Sequence, residues 1–189
     1  SLFALGKKDT ESGIKYLVMI TKDGIIKKTP LEDFKNVRKS GLIAMSLKKG
    51  DILRSVQKST GEDELIITTR KGQSIHFKEK DVRSMGRPAA GIHAMRLKKG
   101  DEVVGMDVIP AAPKASAGKT PGALYLFILM ENGYGKRTDV KEYRLQTRGG
   151  SGIKTANVTP KTGNLVYAKV LQGVEEDLIV ISRKGQVIR

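Results

Sequence analysis

Cysteine is absent from the 189 residues, so the chain can form neither a disulfide framework nor a thiolate metal site. That absence fits a reducing cytosol. Tryptophan is also missing, and aromatic residues make up only 5% of the chain. They do not interleave with the basic residues as a base-stacking platform would, which makes single-stranded nucleic acid the poorer expected ligand. No apolar run reaches the roughly 18 residues of a membrane-spanning helix, and no basic amphipathic helix is present, so membrane binding is not expected. Ser1–Gly6 lacks the basic start, apolar core and cleavage pattern of a signal peptide and reads as the cut edge of a longer natural protein.

Reactive groups are equally sparse. The two histidines, His76 and His93, occupy different positions in the repeat pattern of the chain. No cluster of histidine, cysteine and carboxylate has metal-ligand spacing, so each reads as an ordinary strand residue. Gly118-Lys119-Thr120 resembles the end of a phosphate-binding loop. Pro113 replaces the required first glycine, however, and no strand-to-helix context surrounds it. The expectation is a chain without a catalytic site, a metal or a bound cofactor.

What the chain has in excess is positive charge. Lysine and arginine number 35 against 20 acidic residues, a net charge of +15 that favours a polyanionic partner, nucleic acid first. Hydrophobic residues at 39% are adequate for a packed core.

Internal repeats set the architecture. Two strand-like runs around a tight turn recur at Leu17–Lys28, Leu65–His76, Leu126–Arg137 and Leu178–Arg189, with turn glycines Gly24, Gly72, Gly133 and Gly185 at intervals of 48, 61 and 52 residues. A second marker follows each of the first two. Ser40-Gly41-Leu42-Ile43-Ala44-Met45 with Leu47-Lys48-Lys49-Gly50-Asp51 is nearly repeated by Ala90-Gly91-Ile92-His93-Ala94-Met95 with Leu97-Lys98-Lys99-Gly100-Asp101. A looser copy runs from Ser151-Gly152-Ile153-Lys154-Thr155-Ala156 to Lys161-Thr162-Gly163. β-rich runs then follow at Ile52–Val56, Glu102–Ile109 and Leu165–Leu171.

Each unit therefore reads as four short strands joined by glycine and aspartate turns, since β-branched residues fit a pleated surface and glycine accepts positive φ. The expected fold is all-β, a propeller-like arc of four-stranded blades at about 14–60, 61–110 and 122–173 with an incomplete fourth at 174–189. Residues 110–122, rich in Pro, Ala, Gly and Lys, read as a loop inserted between blades. Leu31, Phe34 and Val37 have helical spacing, but Pro30 and Gly41 bracket them, which leaves at most a short helical turn. Tyr16, Tyr125, Phe127 and Tyr167 lie in strand runs and are expected to pack rather than to contact bases.

Several phrases carry a resemblance along essentially the whole chain. They are Gly24-Ile25-Ile26-Lys27-Lys28-Thr29 with Phe34-Lys35-Asn36-Val37-Arg38, Asp81-Val82-Arg83-Ser84-Met85-Gly86-Arg87, and Glu131–Thr138 leading to Glu142-Tyr143-Arg144 and Gln146–Thr155. With these the sequence resembles the C-terminal domain of the bacterial DNA gyrase A subunits. That resemblance implies a β-pinwheel that wraps duplex DNA around a basic rim. It also implies partnership with the gyrase A cleavage core and gyrase B in a bacterial cytoplasmic enzyme whose ATP and Mg2+ are used elsewhere in the complex. The family's box motif has one degenerate relative here, Gln146, Thr147, Arg148, Gly149, Gly150, Ser151 and Gly152, in which Thr147 and Ser151 stand where the box is basic. This placement implies a start near the third blade, without the true first-blade box. The related topoisomerase IV protein is the alternative within the family, and a protein-interaction propeller with incidental charge the alternative outside it.

Duplex binding without sequence preference requires cations spaced along a surface. Basic pairs recur near each hairpin, Lys27 and Lys28, Arg70 and Lys71, Lys136 and Arg137, Arg183 and Lys184. A second group, Arg38, Lys39, Arg83, Arg87, Arg144, Arg148 and Lys154, lies between the second strand of a hairpin and the marker, or in the marker itself. Arginine beside glycine in such a loop suits forked contact with phosphate. The glycines equally suit a tight turn.

Overall fold

The computed structural model describes residues 13–36, 40–111, 123–173, 179–181 and 185–188. β1 (Tyr16–Thr21) and β2 (Ile25–Pro30) form the first hairpin, and a 3-10 turn at Leu31–Phe34 follows. That turn fits the short helical spacing anticipated there. β3 (Leu53–Ser59) pairs antiparallel with β1, and the same plan recurs with β4 (Glu64–Thr69), β5 (Gln73–Lys78) and β7 (Val103–Ile109). It recurs again with β8 (Leu124–Met130), β9 (Gly135–Asp139) and β11 (Leu165–Gln172). β12 (Val180–Ile181) and β13 (Val187–Ile188) make a final short hairpin.

The sheets do not respect the boundaries of the sequence units. β6 (Ile92–His93) comes from the second marker yet pairs with β2, giving the order β3-β1-β2-β6. Likewise β10 (Ile153–Lys154), from the third marker, pairs with β5 to give β10-β5-β4-β7. Each of these sheets thus takes three strands from one unit and its fourth from the next. The third sheet has the order β11-β8-β9 among the described residues. The anticipated 110–122 loop lies almost wholly outside the described residues.

Glycine makes the exchange possible. Gly91 and Gly152 have φ of +105° and +73°, and a Cβ there would stand 2.6 Å from the Ile26 carbonyl oxygen and 2.5 Å from that of Ser74. Only a residue without a Cβ lets the marker backbone approach its neighbour's strand so closely.

The first strands of the first two hairpins, β1 and β4, are buried along nearly their whole length and mostly apolar because both sheet faces are covered. Val18, Ile20 and Ile26 meet Leu65, Ile67, Ile75 and Phe77 in one core, while Met19 and Ile25 face the other way against Met45. Ile66, the residue between Leu65 and Ile67, joins Leu126, Ile128, Tyr143 and Leu165 in the next core. This period-two division stacks the sheets like blades. Truncating the wholly buried Phe77 to alanine would cost about 3–5 kcal/mol.

The last strands of the units form a seam, β3 against β7 and β7 against β11. Asp107 of β7 ties all three together. It accepts from Gln57 Nε2 at 3.2 Å, Lys169 Nζ at 2.6 Å and the Val170 amide at 2.7 Å. Burial raises its pKa despite the opposing pull of Lys169. The short strands β6 and β10 lie at the opposite edge of each sheet.

Candidate nucleic-acid interface

The basic pairs expected at the hairpins meet three different fates. Lys27 and Lys28 are buried, which removes both from the surface to which the sequence assigned them. Lys27 is wholly buried, with Nζ donating to the Ala44 carbonyl at 2.8 Å and the Arg87 carbonyl at 2.5 Å. Burial lowers its pKa, Asp33 opposes the shift and Arg87 adds to it. Lys28 faces the fully buried Glu79 at 3.5 Å and lies 5.0 Å from the centre of the Tyr16 ring. Glu79 also accepts from Ser59 Oγ at 2.7 Å and from the Gly61 and Asp63 amides, so this cation balances an interior charge.

Arg70 is half-exposed and shares Glu102 with Arg54, at 3.4 and 3.3 Å. Lys71 is exposed, with Nζ donating to the Lys99 carbonyl at 2.6 Å. Lys136 and Arg137 are both exposed on β9, and Arg137 lies 4.7 Å from the Tyr125 ring centre, the counterpart of Lys28 over Tyr16. At the matching place in the second unit, His76 Nε2 bonds Glu64 at 2.8 Å and Nδ1 meets the Tyr143 carbonyl at 2.7 Å. Arg183 and Lys184 lie outside the described residues, as do Arg38 and Lys39.

The arginines before each marker divide in the same way. Arg83 and Arg144 are exposed, and so is Lys154 on β10. Arg87 and Arg148 are half-buried and spend donors on backbone. Arg148 donates to the carbonyls of Asp81 at 3.0 Å and His93 at 2.5 Å, and Arg87 donates to that of Asp33 at 3.3 Å. The glycine-rich segment around Arg148 is stitched down by main-chain bonds from Gly149 to Ala94 and from Arg96 to Gly150, each 2.8 Å. Gln146 sends its amide N–H to the His76 carbonyl at 2.8 Å, while its side-chain Nε2 is buried without a partner.

Other exposed cations escaped the sequence assignment. Lys48, Lys49, Lys98 and Lys99 stand on the two Lys-Lys-Gly-Asp turns. Their spacing was visible, but it served only to mark the repeat. Among the described residues no group of His, Cys, Asp and Glu is placed to hold a metal, and no helix is long and apolar enough to cross a membrane.

Comparison with known proteins places this geometry in a family. The profile described as DNA gyrase C-terminal domain, beta-propeller, matches residues 15–59, 63–110 and 125–172. The DNA gyrase A protein of Staphylococcus epidermidis (strain ATCC 12228) is 42% identical over 182 residues, covering 96% of this chain and 19% of that protein. Its counterpart in Staphylococcus aureus (strain MRSA252) is 41% identical, again over 182 residues and with the same coverage. The chain therefore spans about a fifth of the length of these relatives. Among solved structures, the DNA gyrase A C-terminal domain aligns with a TM-score of 0.75 at 28% identity, covering 93% of this chain and 55% of that one. The C-terminal domain of DNA topoisomerase IV aligns at 0.78 with 24% identity, covering 92% and 51%, a likeness of fold. With three repeats matched and the strand order that links them described, the chain belongs to the DNA gyrase C-terminal domain, beta-propeller family.

Proposed function

We propose that the chain is a non-catalytic module that binds duplex DNA and bends it, serving negative supercoiling by a gyrase whose cleavage and ATP-hydrolysing parts lie elsewhere. The observation that carries this reading is the recurrence of exposed cations on successive units, with Lys71 and Arg83 on one and Lys136, Arg137, Arg144 and Lys154 on the next. Each phosphate neutralised releases counterion, and bending a site of 20–30 base pairs by 40–90° costs of order 1–6 kcal/mol, a cost that several such contacts offset. The partners that follow are duplex DNA, the gyrase A cleavage core and gyrase B in the bacterial cytoplasm. ATP and Mg2+ belong to those other parts, and this segment needs no cofactor of its own. The identity to gyrase A proteins favours gyrase over topoisomerase IV.

The test uses a duplex of about 40 base pairs labelled at both ends, beside one of its single strands. The reading requires tighter binding of the duplex and a rise in end-to-end energy transfer as protein is added. Equal affinity for both forms, or binding without any change in end-to-end distance, contradicts it. No binding at low salt leaves the protein-interaction propeller as the better account.

A further inference from the structure

Lys48, Lys49, Lys98 and Lys99 stand on two turns that are fastened to the hairpin tips carrying Lys22 and Lys71. In the first unit Lys48-Lys49-Gly50-Asp51 is closed by a bond from the Asp51 amide to the Lys48 carbonyl at 3.0 Å. Asp51 Oδ1 accepts from the Asp23 amide at 3.0 Å, which fastens this turn to the hairpin tip carrying Lys22. In the second unit the Asp101 amide bonds the Lys98 carbonyl at 2.9 Å, and Asp101 Oδ1 accepts from the Lys71 amide at 2.8 Å. The two carboxylates are thus engaged by backbone, while Lys48, Lys49, Lys98 and Lys99 are exposed.

The units are joined along this end. Leu97, which precedes Lys98, packs over the first tip, where a Cβ at Gly24 would lie 3.4 Å from Leu97 Cδ1. The Val103 amide donates to the Lys22 carbonyl at 2.8 Å, and the matching bond, Leu165 to Arg70 at 3.0 Å, carries the contact into the third unit. The order along the ridge is turn, tip, turn, tip, with Lys48 and Lys49, then Lys22, then Lys98 and Lys99, then Lys71. Acidic residues interrupt it little. Exposed Asp23 lies 3.9 Å from Lys22, and Glu102 is shared by Arg54 and Arg70. In the third unit the tip carries Glu131 and Asn132, with Glu131 held by the Asn164 amide and side chain at 3.2 and 3.0 Å, and the turn keeps a single exposed lysine, Lys161, 5.7 Å from the Tyr134 ring centre.

We infer that this ridge of paired turns, at the strand ends opposite the 3-10 turns, is a second phosphate-contacting surface for duplex DNA, distinct from the arginine-bearing loops before each marker. The inference rests on the duplex-binding reading above. Four exposed lysines on closed turns, with half-buried Lys22 and the carbonyl-bound Lys71 at the tips beside them, present a line of cations, whereas lysines on long mobile loops would lose more entropy on binding. The glycines Gly50 and Gly100, at φ of +85° and +68°, supply the left-handed residue that closes each turn.

The experiment compares three proteins by duplex affinity over a series of salt concentrations. They are the unaltered chain, a ridge variant (Lys48→Gln, Lys49→Gln, Lys98→Gln and Lys99→Gln) and a control with the same charge loss at the opposite strand ends. The control carries Lys15→Gln, Lys78→Gln, Lys80→Gln and Lys141→Gln, all at exposed positions. Circular dichroism and thermal melts verify that each is folded. The ridge variant is expected to lose at least about tenfold more affinity than the control at 100 mM salt and to lower the salt slope by about two or more. Equal losses in the two variants, or an unchanged slope in the ridge variant, overturn the inference while leaving duplex binding intact. Absence of duplex binding by the unaltered chain removes the reading beneath it.

Discussion

Arg148 reaches back one unit to donate to the Asp81 carbonyl at 3.0 Å, and Arg87 makes the same kind of contact with Asp33 at 3.3 Å. The repeated arginine before the marker is therefore a staple between units. Arg148→Ala is expected to speed amide exchange at Gly149 and Arg96, whose bonds to Ala94 and Gly150 it helps hold. Its salt slope for duplex binding should match the unaltered chain, whereas Arg144→Gln should lower the slope by about 1. A lowered slope in Arg148→Ala would instead make Arg148 a phosphate contact.

Lys28 behaves as an interior counter-charge. Lys28→Met leaves Glu79 buried without its cation and is expected to destabilise the fold by about 3 kcal/mol, a fall in Tm of roughly 6–12 °C at this chain length. A thermal melt checks this. Glu79 keeps its three hydrogen-bond donors, which sets the loss toward the lower end for a broken buried pair.

Asp107 gives the seam a pH dependence of defined sign. Its pKa in the folded chain is raised above the ordinary 3.8, so on acidification it takes up its proton at higher pH when folded than when unfolded. The stability of the unaltered chain relative to Asp107→Asn should therefore rise as pH falls through the raised value toward 3.8. Conversely, it should shrink as pH climbs back. Urea unfolding of both proteins at neutral pH and near the folded pKa measures the difference, and a constant gap would show that the pull of Lys169 and Val170 cancels the effect of burial on Asp107.

The marker glycines offer a graded comparison. Gly41, Gly91 and Gly152 all have positive φ, but among the described residues a Cβ at Gly41 meets nothing within 4 Å. Gly41→Ala should cost only the conformational strain, about 1–2 kcal/mol. Gly91→Ala and Gly152→Ala add contacts of 2.6 and 2.5 Å with backbone oxygen and should cost clearly more, about 3 kcal/mol or above. Equal losses at all three would mean that the fourth strand does not need close approach.

The hairpins were legible because runs rich in Val, Ile, Leu and Thr lead into a glycine turn, and Leu17–Lys28 and Leu65–His76 fold as that pattern requires. The exchange of β6 and β10 was not. Two-residue strands carry no periodicity, and Gly91 and Gly152 read equally well as turn residues. The burial of Lys27 was hidden for another reason, since its partners Ala44 and Arg87 are remote in sequence and offer only main-chain carbonyls. The exposed positions Arg83, Arg144 and Lys154 follow from their place beside the marker, while the Lys-Lys turns were seen as a repeat and not as a surface.

The central claim is that cations on this chain neutralise duplex phosphates, and the dependence of duplex affinity on salt tests it most directly. If six or so phosphates are contacted, affinity should fall by roughly three orders of magnitude or more between 50 and 200 mM salt, with log K linear in log salt. An affinity that stays flat over that range, or a duplex that fails to bind at about 50 mM, would contradict the claim.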